Sequence, residues 1–177
     1  MSKARVATVW LDGCSGCHMS MLDMDERLVE LSDRLDLVYG PLVDTKEYPE
    51  NVDIVLVEGA VSTQEDLEKI RKIRQRTRIV VSLGDCAVTA NVPSMRNRFP
   101  VEAVEQRAYI ENAQFNQQVP RIVVPPLSPT SRPVHEFAKV DVFVPGCPPS
   151  ADTIYFLLTE LLAGRMPDLT DKTRFGA

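Results

Sequence analysis

The sequence predicts an α/β fold, an open parallel sheet with helices on both faces. Two observations carry this. Strand-like and helix-like stretches alternate along the chain, and several strands, Asp53-Ile54-Val55-Leu56-Val57 among them, are apolar throughout instead of alternating. A strand apolar on both sides must be buried on both sides, and parallel sheets achieve that by carrying helices front and back. The 177 residues are enough for one compact core, so a single domain over 1–177 is expected.

The elements follow in order. Val6 to Leu11 is a short β-rich run closed by the turn signal Asp12-Gly13, hence a strand. From Met19 to Leu35, apolar residues recur every three or four positions, which predicts one amphipathic helix. Leu35 to Tyr39 reads as a short second strand before the breaker Gly40-Pro41. The Asp53–Val57 strand ends in Glu58-Gly59. Ser62 and Thr63 then offer an N-cap, with Glu65 and Asp66 in the first turn of a helix reaching about Arg76. Arg78 to Leu83 is the next strand, followed by a short helix stopped before Pro93. Residues 93–139 lose periodicity and gather prolines, so an irregular Pro-rich insertion is expected, with one helix near Val101 to Asn112. An ordered loop of this length is commonly functional or a docking surface. Val140 to Val144 is the last strand. Ser150 caps a final helix over Ala151 to Ala163, and the tail from Pro167 reads as frayed or held by a partner.

A net charge of −5 gives no nucleic-acid footprint. No apolar run is long enough to span a bilayer. The first apolar run is broken too early by Asp12 for a secretory signal, and no twin arginine precedes it. The expectation is a cytoplasmic protein without membrane insertion. In that reducing compartment, four cysteines point to metal or redox chemistry rather than to disulfides.

The positions of those cysteines narrow the chemistry. Cys14 and Cys17 follow the first strand, Cys86 follows the strand ending at Leu83, and Cys147 follows the last strand. Ligands of open α/β sheets bind beyond the carboxyl ends of the strands, so all four thiols are expected at one sheet edge. A four-thiolate set suits zinc or an iron–sulfur cluster. Structural zinc usually takes two close cysteine pairs. One pair plus two isolated cysteines in Gly/Pro turns better suits a cluster enclosed by several loops. Two rival readings of Cys14-Ser15-Gly16-Cys17-His18, covalent haem attachment and a thioredoxin-like redox pair, leave Cys86 and Cys147 without a role. A third makes those two cysteines plain core thiols, against their glycine-bearing settings.

With the cysteines placed, the sequence resembles the small subunits of nickel–iron hydrogenases, most of all those of cytoplasmic NAD-reducing (bidirectional) enzymes. The residues that carry the resemblance are Gly13-Cys14-Ser15-Gly16-Cys17, Leu22-Asp23-Met24-Asp25-Glu26, Val57-Glu58-Gly59-Ala60-Val61, Gly84-Asp85-Cys86-Ala87 and Pro145-Gly146-Cys147-Pro148-Pro149. It implies a flavodoxin-like domain with one 4Fe–4S cluster on Cys14, Cys17, Cys86 and Cys147. It also implies a partner large subunit with the nickel–iron centre, and iron–sulfur and flavin diaphorase subunits that reduce NAD. The quinone-linked relative carries adjacent cysteines at the first motif, whereas Ser15-Gly16 separates them here. Cluster subunits of ferredoxin-, F420- or quinone-linked complexes, and a zinc or thiol-redox module, are the alternatives. No FMN is expected, because the cysteine loops occupy the crevice a flavin would use.

Other residues have two readings each. Glu58 is read as a proton relay or near-cluster carboxylate, against a plain capping role. His18 either tunes the cluster or merely opens a helix. Trp10 is expected in the core, against a role in shielding the cluster from water, Asp12 and Asp85 as local turn formers, and Met19, Met21 and Met24 mainly in helix packing, against a soft docking face. The basic run Arg71, Lys72, Arg74, Arg76 and Arg78 is expected to be a solvated face, with partner docking as the other reading.

Overall fold

The computed structural model describes residues 3–176. Five strands form a parallel sheet: β1 (Ala4–Trp10), β2 (Leu35–Tyr39), β3 (Val52–Glu58), β5 (Thr77–Leu83) and β7 (Val142–Val144), in the order β2-β1-β3-β5-β7. This is the flavodoxin-like order, with the direction of winding reversing beside β1. Alternate residues of each strand feed two cores. Val6, Ile54, Leu56, Val81 and Leu83 pack on helices α1 (Gly16–Leu22), α2 (Glu26–Ser32) and α6 (Ala151–Leu162). Ala7, Val9, Val55, Val57 and Val80 pack on α3 (Gln64–Arg76) and on Ala87 of α4 (Asp85–Thr89). The predicted fold class is therefore observed, and its two-sided burial explains the unbroken apolar strands.

Both predicted caps are present. Thr63 and Asp66 form a reciprocal capping box at the start of α3, and the Ser150 hydroxyl accepts from Thr153 N at 3.2 Å.

Four expectations need correction. The helix expected over Met19 to Leu35 is two helices, divided at Asp23–Asp25, where Asp25 has φ 50°. Aspartate favours turns over helix interiors because its carboxylate competes for backbone N–H groups. The break resets the register so that Met24 and Leu31 both reach the core. The insertion is also more ordered than expected. β6 (Leu127–Arg132) pairs antiparallel with β4 (Val61–Thr63), and Val101–Gln106 forms helix α5. Polar clamps hold this pair: Arg96 donates to Ser128 O at 2.9 Å and to Ser62 O at 3.1 Å, and the Asn97 amide brackets Ser131. Such clamps leave no apolar period to read, and Pro129 is tolerated because the pair is an edge.

The basic run is not simply a solvated face. Arg74 donates to Asp141 at 2.5 Å and to the carbonyls of Thr77 and Arg78, while Arg76 binds Glu50 and Tyr48 O. These arginines staple the amino-terminal end of the sheet, away from the cysteines. Burial raises the Asp141 carboxyl, but the Val80 N–H and the Arg74 guanidinium outweigh it and hold the carboxyl below its ordinary value. A depressed carboxyl stabilises the fold above the unfolded-state value and stops doing so as the pH falls through the folded-state one. Thermal melts should therefore show Asp141→Asn clearly less stable than wild type at neutral pH, with the gap closing below about pH 4.

The tail is not frayed within the described residues. Leu169 is buried in the α1/α2/α6 core, and Lys172 lies over the Phe156 ring.

Candidate metal centre

The strand order carries the turns after β1, β3, β5 and β7 to one edge. Cys14 and Cys17 follow β1, Glu58 ends β3, Cys86 opens α4 after β5, and Cys147 follows β7. Cys17 is buried, Cys86 half-buried, and Cys14 and Cys147 exposed; all four are free thiols. The thiols lie within electrostatic reach of one another. Burial raises the Cys17 thiol most, and the Glu58 carboxylate and the other three cysteines push it further up. Burial likewise raises Cys86, to about 11, against a backbone hydrogen bond from Val92 that lowers it. Without metal these two thiols hold their protons, so metal loading must displace them. Among the described residues, no three His, Cys, Asp or Glu side chains are grouped to hold a single ion.

Main-chain bonds tie the loops together. Leu11 N donates to Glu58 O at 2.9 Å, and Asp12 exchanges N–H and C=O with Ala60 at 3.0 and 2.8 Å. Gly84 N donates to Val144 O at 2.8 Å, and Asp85 N to Gly146 O at 2.9 Å. The Asp85 side chain accepts from Gly146 N at 2.7 Å, so it reaches across to another loop and is not the local turn former expected. Ser20 Oγ donates to Pro149 O at 2.5 Å, and Asn91 Nδ2 lies 3.7 Å from Cys147 Sγ. Sequence reasoning missed Ser20 and Asn91, because their partners lie 129 and 56 residues away.

Glu58 is 3% exposed and fills a specific gap. The first turn of α1 has no side-chain cap of its own, since Ser15 lies in the left-handed region with φ 68°. Glu58 supplies the cap from another strand, accepting from Cys17 N at 3.4 Å, from His18 N at 2.9 Å and from His18 Nδ1. His18 is buried, its Nε2 has no protein partner, and its ring meets Trp10 edge-on at 5.4 Å. Trp10 itself is 42% exposed, contrary to the core position expected, because it stands at the strand end beside His18. Met21 and Met24 are buried while Met19 is exposed.

The residues present fit a cluster. Gly84 (φ 82°) forms a cradle in which an added Cβ would overlap Cys17 Sγ, and a Cβ on Gly16 would come within 3.2 Å of Cys14 Sγ. A buried imidazole nitrogen without a partner is present beside them. Gly84→Ala should therefore displace the Cys17 thiol. The expected result is a marked loss of iron from the purified protein with the far-UV circular dichroism unchanged.

Residues 14–161 match the family described as NADH ubiquinone oxidoreductase, 20 Kd subunit. The chain is 40% identical to the NAD-reducing hydrogenase HoxS subunit delta of Cupriavidus necator, covering 94% of this chain and 82% of that subunit. It also superposes on a chain of an NAD+-reducing nickel–iron hydrogenase in the H2-reduced state, with TM-score 0.93 and 38% identity over 98% of this chain and 99% of that one. This chain belongs to the small subunits of NAD-reducing nickel–iron hydrogenases. The small subunit is thus an electron-transfer, iron–sulfur-family component of an oxidoreductase. It is also 36% identical to a component of the F420-non-reducing hydrogenase of Methanocaldococcus jannaschii, although it spans only 59% of that protein. A nickel–iron–selenium hydrogenase of Desulfomicrobium baculatum, at 22% identity and TM-score 0.60, shares the fold. No helix among the described residues of the small subunit is long and apolar enough to cross a membrane.

Proposed function

We propose that this small subunit holds one 4Fe–4S cluster on Cys14, Cys17, Cys86 and Cys147. In this reading it relays electrons between a nickel–iron centre in a large subunit and a diaphorase module that reduces NAD, in the cytoplasm. The observation that carries the reading is the set of four free thiols on three loops at one sheet edge, coupled to one another and cradled at Gly84. NAD as the distant acceptor is supported by the end-to-end match with one chain of an NAD+-reducing enzyme. Bound there, the cluster would supply reversible one-electron chemistry.

The chain's own residues do the remaining work. The four thiols bind, and Gly84 lets the Cys17 sulfur approach the backbone. Glu58 acts as the near-cluster carboxylate by fixing the Cys17–His18 turn. A proton passing through Glu58 would first have to release His18 Nδ1, which the carboxylate holds. We place no FMN in this chain, since the cysteine turn and the Glu58–His18 pair fill the β1/β3 crevice.

The test is anaerobic purification with analysis of iron, acid-labile sulfide, flavin and co-purifying subunits. The reading expects about four iron and four sulfide per chain, no flavin bound to this subunit, and a nickel-containing partner. Zinc in place of iron, or no metal at all, would overturn it.

A further inference from the structure

Beyond α6 the chain turns back beside the Cys147 turn and reaches Asp85, next to Cys86. Gly164 (φ 76°) ends the helix, and Leu169, 8% exposed, anchors the tail in the α1/α2/α6 core. Thr153 Oγ1 donates to Lys172 O at 3.0 Å. The tail then reaches Asp85, whose Oδ2 accepts from Gly176 N at 2.8 Å. The other oxygen, Oδ1, accepts from Gly146 N at 2.7 Å, and Asp85 N donates to Gly146 O at 2.9 Å. Asp85 is 4% exposed and sits between the Gly84 cradle and Cys86. One buried carboxylate thus joins the Cys86 turn, the Cys147 turn and the tail. A cavity of about 260 Å³ lies between the tail and the Cys147 turn, lined by Pro145, Pro148, Pro149, Lys172 and Arg174.

A carboxylate has an acceptor oxygen for each of these two amides. Losing one amide leaves that oxygen buried without its donor, which is unfavourable. The tail contact and the loop contact therefore support each other through the same side chain. We propose that Asp85 is a positioning residue and residues 165–176 a strap, which together hold the Cys147 turn closed over the metal centre, so that freeing the strap opens the path by which iron leaves. This rests on the cluster reading above for its iron measurement, but not for its thiol measurement.

The test uses the anaerobically purified complex and three variants. Asp85→Ala removes both contacts. Asp85→Asn keeps one carbonyl oxygen and can serve only one amide. Leu169→Asp frees the tail from a position outside the cysteine turns, in the core that Cys17 also joins. Release of iron to a ferrous chelator should quicken roughly tenfold in Leu169→Asp and Asp85→Asn, and more in Asp85→Ala, as outer-shell changes commonly do. The electron paramagnetic resonance of the reduced cluster should alter in Asp85→Ala and stay unchanged in Leu169→Asp. Thermal melts check folding, and Thr153→Val, which loosens the strap with the core intact, replaces Leu169→Asp if that variant unfolds. A wild-type rate of iron release in the strap variants would overturn the proposal. Should the wild type hold no iron, the cluster reading fails separately. The strap is then read from alkylation of Cys86 in the metal-free chain, expected to be faster in the strap variants; an unchanged rate would overturn it.

Discussion

Cys17→Ser is expected to strip the cluster more completely than the same change at Cys14 or Cys147. Cys17 is 7% exposed, packed in the α1/α2/α6 core and seated in the Gly84 cradle, so no other group can move into its place. Cys14 and Cys147 are exposed, and water or a neighbouring side chain can substitute there. A serine hydroxyl is a harder ligand with a shorter reach, and unbound it leaves a buried polar group costing about 1–3 kcal/mol. Iron per chain and visible absorption are the measurements. The expected order is near-complete loss for Cys17→Ser, with partial retention or an altered cluster for the exposed pair. Retention of full iron in all four serine variants would remove the cysteines from the site.

Glu58→Ala is expected to be strongly destabilising. It orphans Cys17 N, His18 N and His18 Nδ1 together and opens a cavity at the end of β3. Leaving a buried donor without its acceptor costs about 1–3 kcal/mol, and with three donors affected the melting temperature of a chain of this size should fall by roughly 10 °C. Glu58→Gln should recover little, since its amide nitrogen would face donors. The pair of variants also separates two roles. A clamp predicts that iron content falls together with stability. A proton carrier predicts that Glu58→Gln keeps its iron while the solvent isotope effect on hydrogen oxidation changes.

The sheet and the cysteine edge were legible because they rest on local signals. Apolar runs such as Asp53–Val57 announce buried strands, and each cysteine stands in the loop or first helical turn that follows one. What escaped was encoded across distance. Capping was the rival reading of Glu58 in the sequence and is what the contacts show, but that it caps α1 depends on Ser15 being left-handed, which no propensity scale conveys. The β4–β6 pair is held by Arg96 and Asn97 instead of by an apolar stripe, so the insertion looked irregular. Arg74 resembled any exposed cation until Asp141 came to meet it from 67 residues away. The break at Asp23–Asp25 lay hidden inside an apolar spacing that two short helices satisfy as well as one long helix.

The bonds between the turns have a kinetic meaning. Leu11 with Glu58, Asp12 with Ala60, Gly84 with Val144 and Asp85 with Gly146 fasten each thiol-bearing turn to a neighbouring strand end through backbone groups. Side chains can change rotamer, whereas paired main chains move only as a unit. When charge changes at such a centre, the dipoles around it are already fixed and little nuclear rearrangement follows, much as preorganised sites avoid that cost in chemical steps. A cluster held among such turns is therefore expected to ask little movement of this chain's backbone when its charge changes.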